Sequence, residues 1–239
     1  MPPPRPPFSS LPLSPSGPPL NAWSLYGPSD TLGALNTLTP TVTRAAALEI
    51  RTGNRISLDW YLNLPSHPSF SRPPFAHKMT NKTHPDGTKR TVNDDHLDFN
   101  TQCSSQWDGL RHYGYQGRKL YYGGRTQEDL EDSDILGIDG VAHKGASDAP
   151  SFEMAPLVGP HTTPGNLWAG KPWEQELQGG GLIHQVLLGG WGVMIGEMFD
   201  LERLCEKSVE LGRSTCFVSS VPLKVPGGVA SPPNAVAIF

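Results

Sequence analysis

The first half of the chain contains one helical pattern and two strand patterns, separated by turn-forming residues. Residues 41–50 predict a short helix that begins at a threonine cap and stops before Gly53, and a strand follows at 55–60. Residues 97–102 predict a second strand that leads into a polar segment. Residues 66–95 mix His, Pro, Lys, Asn and Gly without periodicity, which indicates a long loop or a pair of hairpins at a rim of the fold.

The second half of the chain predicts two helices followed by two strands. A helix around His184 would bury the apolar positions Leu182, Ile183, Val186 and Leu187. A second helix is expected to be capped by Asp200 and to end at Gly212. Residues 215–221 and 235–239 have the β-branched and apolar content of strands. This loose alternation of helices and strands is typical of an α/β or α+β protein.

The N-terminal segment differs in composition from the rest. Residues 1–20 are rich in proline and lack a continuous apolar run, which predicts a disordered arm rather than a signal peptide or an anchor. A polyproline-II ligand for an aromatic groove is the alternative. The chain of 239 residues is long enough for one sizeable core, so residues 21–239 are expected to form a single domain.

Charge and cysteine usage exclude some classes of partner. The net charge is −4 with dispersed Lys and Arg, so the sequence offers no basic stripe to nucleic acid or anionic lipid. The most apolar window, residues 179–198, contains His184, Gln185 and Glu197, and we expect no membrane span. An odd number of cysteines without a CxxC pair favours a reducing compartment. A cytoplasmic protein with a small-molecule substrate is therefore expected.

Residues 100–116, NTQCSSQWDGLRHYGYQ, form a polar segment with almost no ordinary core residues. It places Gln102, Gln106, Asp108 and His112 within eleven positions. Burying so many unpaired polar groups would cost several kcal/mol unless they bind something. The segment therefore predicts a functional site.

The residue types in this region are suited to metal-assisted hydrolysis. Asp108, His184 and Glu197 are candidate ligands of a divalent cation, which would lower the pKa of a bound water and polarise a carbonyl. His112 could take the proton of that water and return it to a leaving nitrogen. The alternative for His184 is a hydrogen-bonded core histidine. Trp107 is expected either in the core or in the wall of the substrate pocket. Arg111 and Tyr113 flank His112 and are candidate substrate contacts, with a solvated side chain as the alternative for Arg111.

The sequence Gln102-Cys-Ser-Ser-Gln106-Trp-Asp108-Gly-Leu-Arg-His112 resembles a known motif. The cyclase family of metal-dependent hydrolases, which includes bacterial kynurenine formamidase, carries His-x-Gly-Thr-His-x-Asp-x-Pro-x-His in the same register. The segments at His184 and Glu197 resemble the distal family segments that supply one His and one Glu. Residues 147–153 and the C-terminal end are similar to the fungal-type branch, which places Asp148 and Glu153 in a supporting role near the pocket.

The resemblance implies a fold, a reaction and a cofactor. The fold is an open, mixed α/β sheet with flanking helices, of the cyclase or swivelling β/α/β-like type. The reaction is hydrolysis of a formamide, cyclic amide or related carbonyl compound, such as N-formylkynurenine to kynurenine in tryptophan catabolism. The cofactor is manganese or zinc, and family members commonly form homodimers or larger assemblies. Gln102 and Gln106 replace the first two His of the motif, and their amide oxygens would be weaker ligands than imidazole.

One departure from the family leaves alternatives open. Family members carry a long block where this chain passes directly from residues 137–145 to Ser147, so the cyclase-like domain is expected to be incomplete near residues 143–147. One alternative is an inactive family member, a splice form or a gene-model remnant. The other is a binding module without metal, which would use an aromatic platform of Trp107, Tyr113, Tyr115, Tyr121 and Tyr122.

Overall fold

The computed structural model describes residues 3–140 and 183–239, which contain short helices and short strands in alternation. The α-helices are α1 (Pro40–Ala47), α2 (Gln127–Glu131) and α3 (Glu202–Leu211), and a π-helix spans Gln185–Trp191. The strands in the first half are β1 (Arg55–Ser57), β2 (Ala76–Thr83), β3 (Lys89–Asp98) and β4 (Gln106–Asp108). Those in the second half are β5 (Ile195–Glu197), β6 (Phe217–Ser220), β7 (Ala230–Ser231) and β8 (Ala235–Ile238).

The described strands form three small sheets, ordered β1-β8-β6, β5-β4-β7 and β2-β3. Every pairing in them is antiparallel. The mixture of helices and sheets confirms the α/β fold class. Asp148 and Glu153, like the expected deletion near residues 143–147, lie outside the described residues.

Apolar clusters hold these elements together. The first joins the N-terminal segment, the turns after β4 and the π-helix through Leu20, Trp23, Leu110, Tyr115, Tyr122, Leu136, Val186, Leu188 and Ile195. The second packs the β1-β8-β6 sheet against α3 through Ile56, Leu58, Leu204, Val218, Ala235, Ala237 and Phe239. Full burial of one such aliphatic side chain contributes about 1.5–3 kcal/mol. The site segment is thus part of the first cluster through Leu110 and Tyr115.

The first residues of α1 and α3 differ from those expected from the sequence, because other residues occupy the cap positions. Helix α1 is capped by Thr39, whose hydroxyl accepts a hydrogen bond from Val42 N at 3.3 Å, with Pro40 at the first helical position. Asp200 does not cap α3; Leu201 precedes that helix and gives no side-chain cap. The end of α3 at Gly212 is confirmed, since this glycine has φ +62°.

The expected strand at 97–102 is wrong in its position. Strand β3 ends at Asp98, and a turn follows in which Cys103 N donates to Asn100 O at 2.9 Å. The side chain of Asn100 also accepts from Gln102 N at 2.9 Å, which favours a turn over a strand. The site residues are therefore delivered by β4, whose short length gives little sequence signal.

The proline-rich segment is packed on the body of the protein where the structure describes it, which differs from the expected disordered arm. Leu20 is buried, Tyr115 Oη donates to Pro19 O at 2.8 Å, and Trp191 Nε1 donates to Leu20 O at 2.8 Å. The Tyr115 hydroxyl and the Trp191 indole thus satisfy the carbonyls of Pro19 and Leu20 and hold the end of this segment against the core.

None of the helices in residues 3–140 and 183–239 is long and apolar enough to cross a membrane.

The packed N-terminal segment depends on the side chain of Asn21, which has no exposed surface. Its Oδ1 accepts from Ser14 N at 3.3 Å and Trp23 N at 3.2 Å, and its Nδ2 donates to Pro18 O at 2.7 Å. We predict that Asn21→Ala lowers the free energy of unfolding by about 1–3 kcal/mol, because buried backbone groups lose their partners. Urea denaturation measures this, with the exposed Asn63→Ala as a control. Equal stability of the two variants would contradict the packed arrangement.

Candidate metal and catalytic site

Strand β4 and the turn before it place three polar side chains in the interior. Gln106 and Asp108 occupy alternate positions of β4, so both project from the same face of the central strand. Gln106 is opposite Glu197 of β5 in the antiparallel register. The preceding turn is anchored by Ser105, whose hydroxyl donates to Met198 O and accepts from Trp60 N at 2.9 Å. This turn brings Gln102 beside Asp108.

The two histidines reach the site from different elements. His184 lies immediately before the π-helix, in helical conformation, and its neighbours Gln185 and Val186 are buried. His112 follows β4 on a tight turn closed by a hydrogen bond from His112 N to Gly109 O at 3.0 Å. The two imidazole rings are 6.1 Å apart between centroids.

Asp108, His112 and His184 form a group that could hold a metal ion. One ligand atom from each residue lies within 4.8 Å of the other two. Nε2 of His112 is 3.8 Å from Asp108 Oδ2, and Nε2 of His184 is 3.9 Å from the same oxygen. These separations are too long for hydrogen bonds but close to the ligand–ligand spacing of about 3.4 Å expected around tetrahedral zinc.

The pairing of the Asp108 carboxylate supports this interpretation. Its Oδ1 accepts from Gln102 Nε2 at 2.6 Å and from Gln106 Nε2 at 3.0 Å. Its Oδ2 is buried, faces both imidazoles and has no hydrogen-bond partner. A buried carboxylate oxygen without a donor is costly, and a cation would supply the missing interaction. The residues therefore fit a divalent metal.

Gln102 and Gln106 donate hydrogen bonds to Asp108, a contact that was not predicted. Their amide nitrogens, not their oxygens, face the carboxylates, and Gln106 Nε2 also lies 3.2 Å from Glu197 Oε2. A glutamine oxygen turned toward Asp108 Oδ1 would place two acceptors together. Both glutamines thus donate to the carboxylates, while Oε1 of Gln106 is buried without a hydrogen-bond partner, so the predicted ligand role of the glutamine oxygens stays a prediction.

Glu197 and His184 form a partly buried ion pair. His184 Nε2 lies 3.1 Å from Glu197 Oε1, and the hydrogen bond between them raises the pKa of His184 and lowers the pKa of Glu197. Glu197 is not part of the three-residue group, and its two oxygens contact His184 and Gln106. It lies in contact with a candidate ligand, and its predicted role as a ligand itself remains a prediction.

Burial shifts the pKa values of the other two groups in opposite directions. Desolvation, reinforced by the negative charge of Glu197, raises the pKa of Asp108 to about 7. Desolvation, reinforced by the positive charge of His184, lowers the pKa of His112 to about 4. His112 is therefore a neutral imidazole at pH 7, which suits both metal binding and proton acceptance.

The structure separates the predicted substrate contacts. Tyr113 is at the site, with its ring 5.8 Å from that of His184 and 6.1 Å from that of His112. Trp107 projects from the opposite face of β4, where its indole donates to Ser220 Oγ at 2.9 Å and its ring lies 5.1 Å from Phe199. Trp107 therefore packs against the core, the first of its two expected positions, and does not line the substrate pocket.

Arg111 binds the C-terminal end of helix α2 and does not line the pocket. Its guanidinium donates to the carbonyls of Ser133 and Leu130. These bonds satisfy carbonyls at the C-terminal end of a helix, where a cation is favourable. Its predicted contact with substrate is replaced by this structural role.

Arg72 was not anticipated as a site residue. Its Nη1 donates to Gln102 O at 3.2 Å, and its charge lowers the pKa values of Asp108, Glu197 and His112 as a secondary influence. It lies in the aperiodic stretch before β2, where no spacing or motif points to the site. Only the folded chain brings it next to Gln102.

Solved structures provide the comparison for this arrangement. A crystal structure described as a novel cyclase is 23% identical, covers 92% of this chain and 99% of that chain, and has a TM-score of 0.68. The chain has a cyclase-type fold. Isatin hydrolase A from Ralstonia solanacearum is 16% identical, covers 84% of this chain and 98% of that chain, and has a TM-score of 0.41. A predicted metal-dependent hydrolase from Bacillus stearothermophilus is 14% identical, covers 78% of this chain and 98% of that chain, and has a TM-score of 0.34.

No protein-family model matches the sequence, and no curated protein matches it. The cyclase-type fold thus rests on the three-dimensional comparison.

The raised pKa of Asp108 predicts a pH dependence of stability in the metal-free protein. Between about pH 4 and pH 7 the folded state keeps a proton that the unfolded state has released, so this group makes the free energy of unfolding fall as pH rises. We predict that Asp108→Asn gains stability over the wild type across this window, on the order of 1–3 kcal/mol. The lowered pKa of His112 makes the free energy of unfolding rise with pH, and this contribution is present in both the wild type and Asp108→Asn.

Urea denaturation from pH 4 to pH 8 in a chelator measures this difference. Asp132→Asn, the same change at an exposed position, is the control and should leave the pH profile unchanged. Parallel profiles for wild type and Asp108→Asn would show that Asp108 is already ionised throughout this pH range and that burial does not raise its pKa.

Proposed function

We propose that this protein is a metal-dependent hydrolase of the cyclase family, acting on the C–N bond of a formamide, cyclic amide or related carbonyl compound. An arylformamidase-like substrate, of the N-formylkynurenine type, is the specific proposal. The observation that carries the proposal is the unpaired, buried Asp108 Oδ2 between the Nε2 atoms of His112 and His184. The motif that joins Asp108 and His112 supports the choice of family, and the cyclase-type fold is consistent with it.

Asp108 and His184 would hold the cation, Glu197 in contact with His184 is a further proposed ligand, and His112 is either a third member of the ligand group or the acid/base beside it. A bound divalent cation would polarise the substrate carbonyl and lower the pKa of a water molecule at the site. The mixed nitrogen and oxygen donors suit zinc or manganese better than calcium. Gln102 and Gln106 hold Oδ1 of Asp108, which leaves Oδ2 directed at the histidines. This arrangement fixes the ligand before any cation arrives.

Hydrolysis also needs a group that moves a proton. Water adds to the carbonyl carbon and loses a proton, and the departing nitrogen gains one as the C–N bond breaks. Two side chains can serve as proton acceptors at pH 7: neutral His112, whose pKa is lowered to about 4, and ionised Glu197, whose pKa is lowered by His184. We propose His112 as the acid/base. Because its Nε2 lies 3.8 Å from Asp108 Oδ2, a ligand role is the alternative that the metal measurement below distinguishes.

The substrate is proposed to carry an aromatic ring. Tyr113 lies against both imidazoles and offers an aromatic surface beside the reacting position. The alternative of a metal-free aromatic platform is contradicted, because Tyr115 and Tyr122 are each only 1% exposed and belong to the core. The alternative of an inactive remnant remains open to the experiments below.

Metal content tests the ligand set. We predict that the purified protein binds zinc or manganese and that Asp108→Asn retains less than about a tenth of it after dialysis, because the charged ligand is lost. Glu206→Gln, on the exposed side of α3, is the matched control and should bind like the wild type. Equal metal in Asp108→Asn and wild type would rule out the site.

Activity and metal content together separate the two possible roles of His112, acid/base and metal ligand. We predict that His112→Gln lowers kcat/KM for an aryl formamide by about 10²–10⁴-fold, the usual contribution of an acid/base group. Metal content measured on the same sample distinguishes the two roles: retained metal with lost activity indicates the acid/base, and loss of both indicates a ligand. Unchanged activity would exclude both. Wild-type protein that binds metal but hydrolyses no aryl formamide or cyclic amide would favour the inactive remnant.

A further inference from the structure

Arg72 places a positive charge beside the candidate site without an ion-pair partner in the described part of the chain. The residue is partly buried, and its guanidinium donates one hydrogen bond there, from Nη1 to Gln102 O at 3.2 Å. The side chain of the same Gln102 donates to Asp108 Oδ1 at 2.6 Å and lies 3.2 Å from both ring nitrogens of His112. A single residue therefore links the guanidinium to the candidate metal ligands.

The charge of this guanidinium acts on the site. Burial is the main cause of the shifted pKa values of Asp108 and His112, and the charge of Arg72 lowers both as a smaller contribution. His184 is the other cation that influences Asp108, and it is already paired with Glu197 at 3.1 Å. Of these two cations, only Arg72 has no carboxylate partner among the described residues, so its charge is available to a ligand.

The turn before Arg72 holds the guanidinium in place. Phe70 covers one face of it, with the guanidinium carbon 5.1 Å from the ring centroid. The backbone turn is closed by a bond from Arg72 N to Ser69 O at 3.3 Å, and inside it Phe70 and Ser71 have φ +61° and +56°. Two successive residues with a Cβ in this region are strained, and such strain is concentrated at active sites and ligand clamps. Phe70 is also 87% exposed, so burial in the core does not explain its position.

The free edge of the guanidinium is suited to a carboxylate. Its N–H donors lie in the plane of the group, so a ring packed against the face leaves them available. Gln102 O uses one of them. The remaining donors match the two oxygens of a carboxylate, which accept parallel hydrogen bonds from this planar group.

We propose that Arg72 is a specificity-determining residue that binds a carboxylate group of the substrate. The substrate class is then an aryl formamide or cyclic amide that carries a carboxylate in addition to the C–N bond to be cleaved. This inference rests on the proposed hydrolase function. A carboxylate balances the single charge of Arg72, whereas a phosphate dianion would bring a further negative charge toward Glu197 and Asp108.

A matched set of substrates tests the recognition of the carboxylate. Formanilide and the ortho, meta and para formamidobenzoates differ only in that group. With metal-loaded wild-type protein, we expect kcat/KM for the best formamidobenzoate to exceed that for formanilide by about tenfold or more, mainly through a lower KM. Arg72→Gln should lower kcat/KM for that formamidobenzoate by about 10–100-fold and change formanilide hydrolysis much less. Arg72→Lys keeps the charge without the planar donors and should lie between the two.

The ratio of kcat/KM for the two kinds of substrate separates recognition from an indirect effect. Loss of the bond to Gln102 O, or of the charge near Asp108, would act on formanilide and formamidobenzoate alike and leave the ratio unchanged. Arg203→Gln removes the same charge at an exposed position of α3 and is the control, with the ratio and both activities expected to match the wild type. Metal content is measured on each variant.

Either of two results overturns the proposal: a wild-type protein that prefers formanilide to every formamidobenzoate, or an equal loss on both kinds of substrate in Arg72→Gln. If none of these compounds is hydrolysed, the proposed activity fails, and calorimetric titration with the same compounds tests the carboxylate site by itself. Weaker binding of a formamidobenzoate to Arg72→Gln than to the wild type, with formanilide unaffected, would support the site. Equal binding to the two proteins, or no binding to the wild type, would overturn it.

Discussion

Asp108 places a carboxylate on the central strand of the β5-β4-β7 sheet with no exposed surface. A buried charge of this kind is tolerated only when it is neutralised, hydrogen-bonded or bound to a cation. The surrounding residues provide each of these in part: two glutamine donors on one oxygen, two imidazoles near the other, and a pKa raised to about 7. The geometry of the whole site follows from satisfying this one group.

The supporting elements are arranged so that this group stays fixed. The β4–β5 register places Gln106 opposite Glu197 and Trp107 opposite Gly196. A Cβ at Gly196 would lie 2.9 Å from the Trp107 ring and 2.8 Å from that of Phe199, so only glycine allows the indole to pack there. One face of β4 thus carries the polar site and the other carries an aromatic contact that holds the strand in place.

The two glutamines illustrate how a substitution changes a role without removing it. In the motif that this chain resembles, the corresponding positions are histidines with ligand character. Here an amide nitrogen donates to the carboxylate from each position, which strengthens the orientation of Asp108 but adds no nitrogen ligand. The donor atoms that could hold a cation are one carboxylate oxygen of Asp108 and the imidazole nitrogens of His112 and His184.

Local sequence determined a good part of the architecture. The α/β class, the end of α3 at Gly212 and the concentration of polar residues around Asp108 all follow from short-range patterns and capping chemistry. The motif together with the two distal segments also related His112, His184 and Glu197 to one another. What it could not determine was the direction of each side chain: Trp107 and Arg111 lie within the motif yet face away from the pocket, while Arg72 joins it from an aperiodic stretch. Such directions depend on strand register and on contacts between residues far apart in the chain, which only the folded structure brings together.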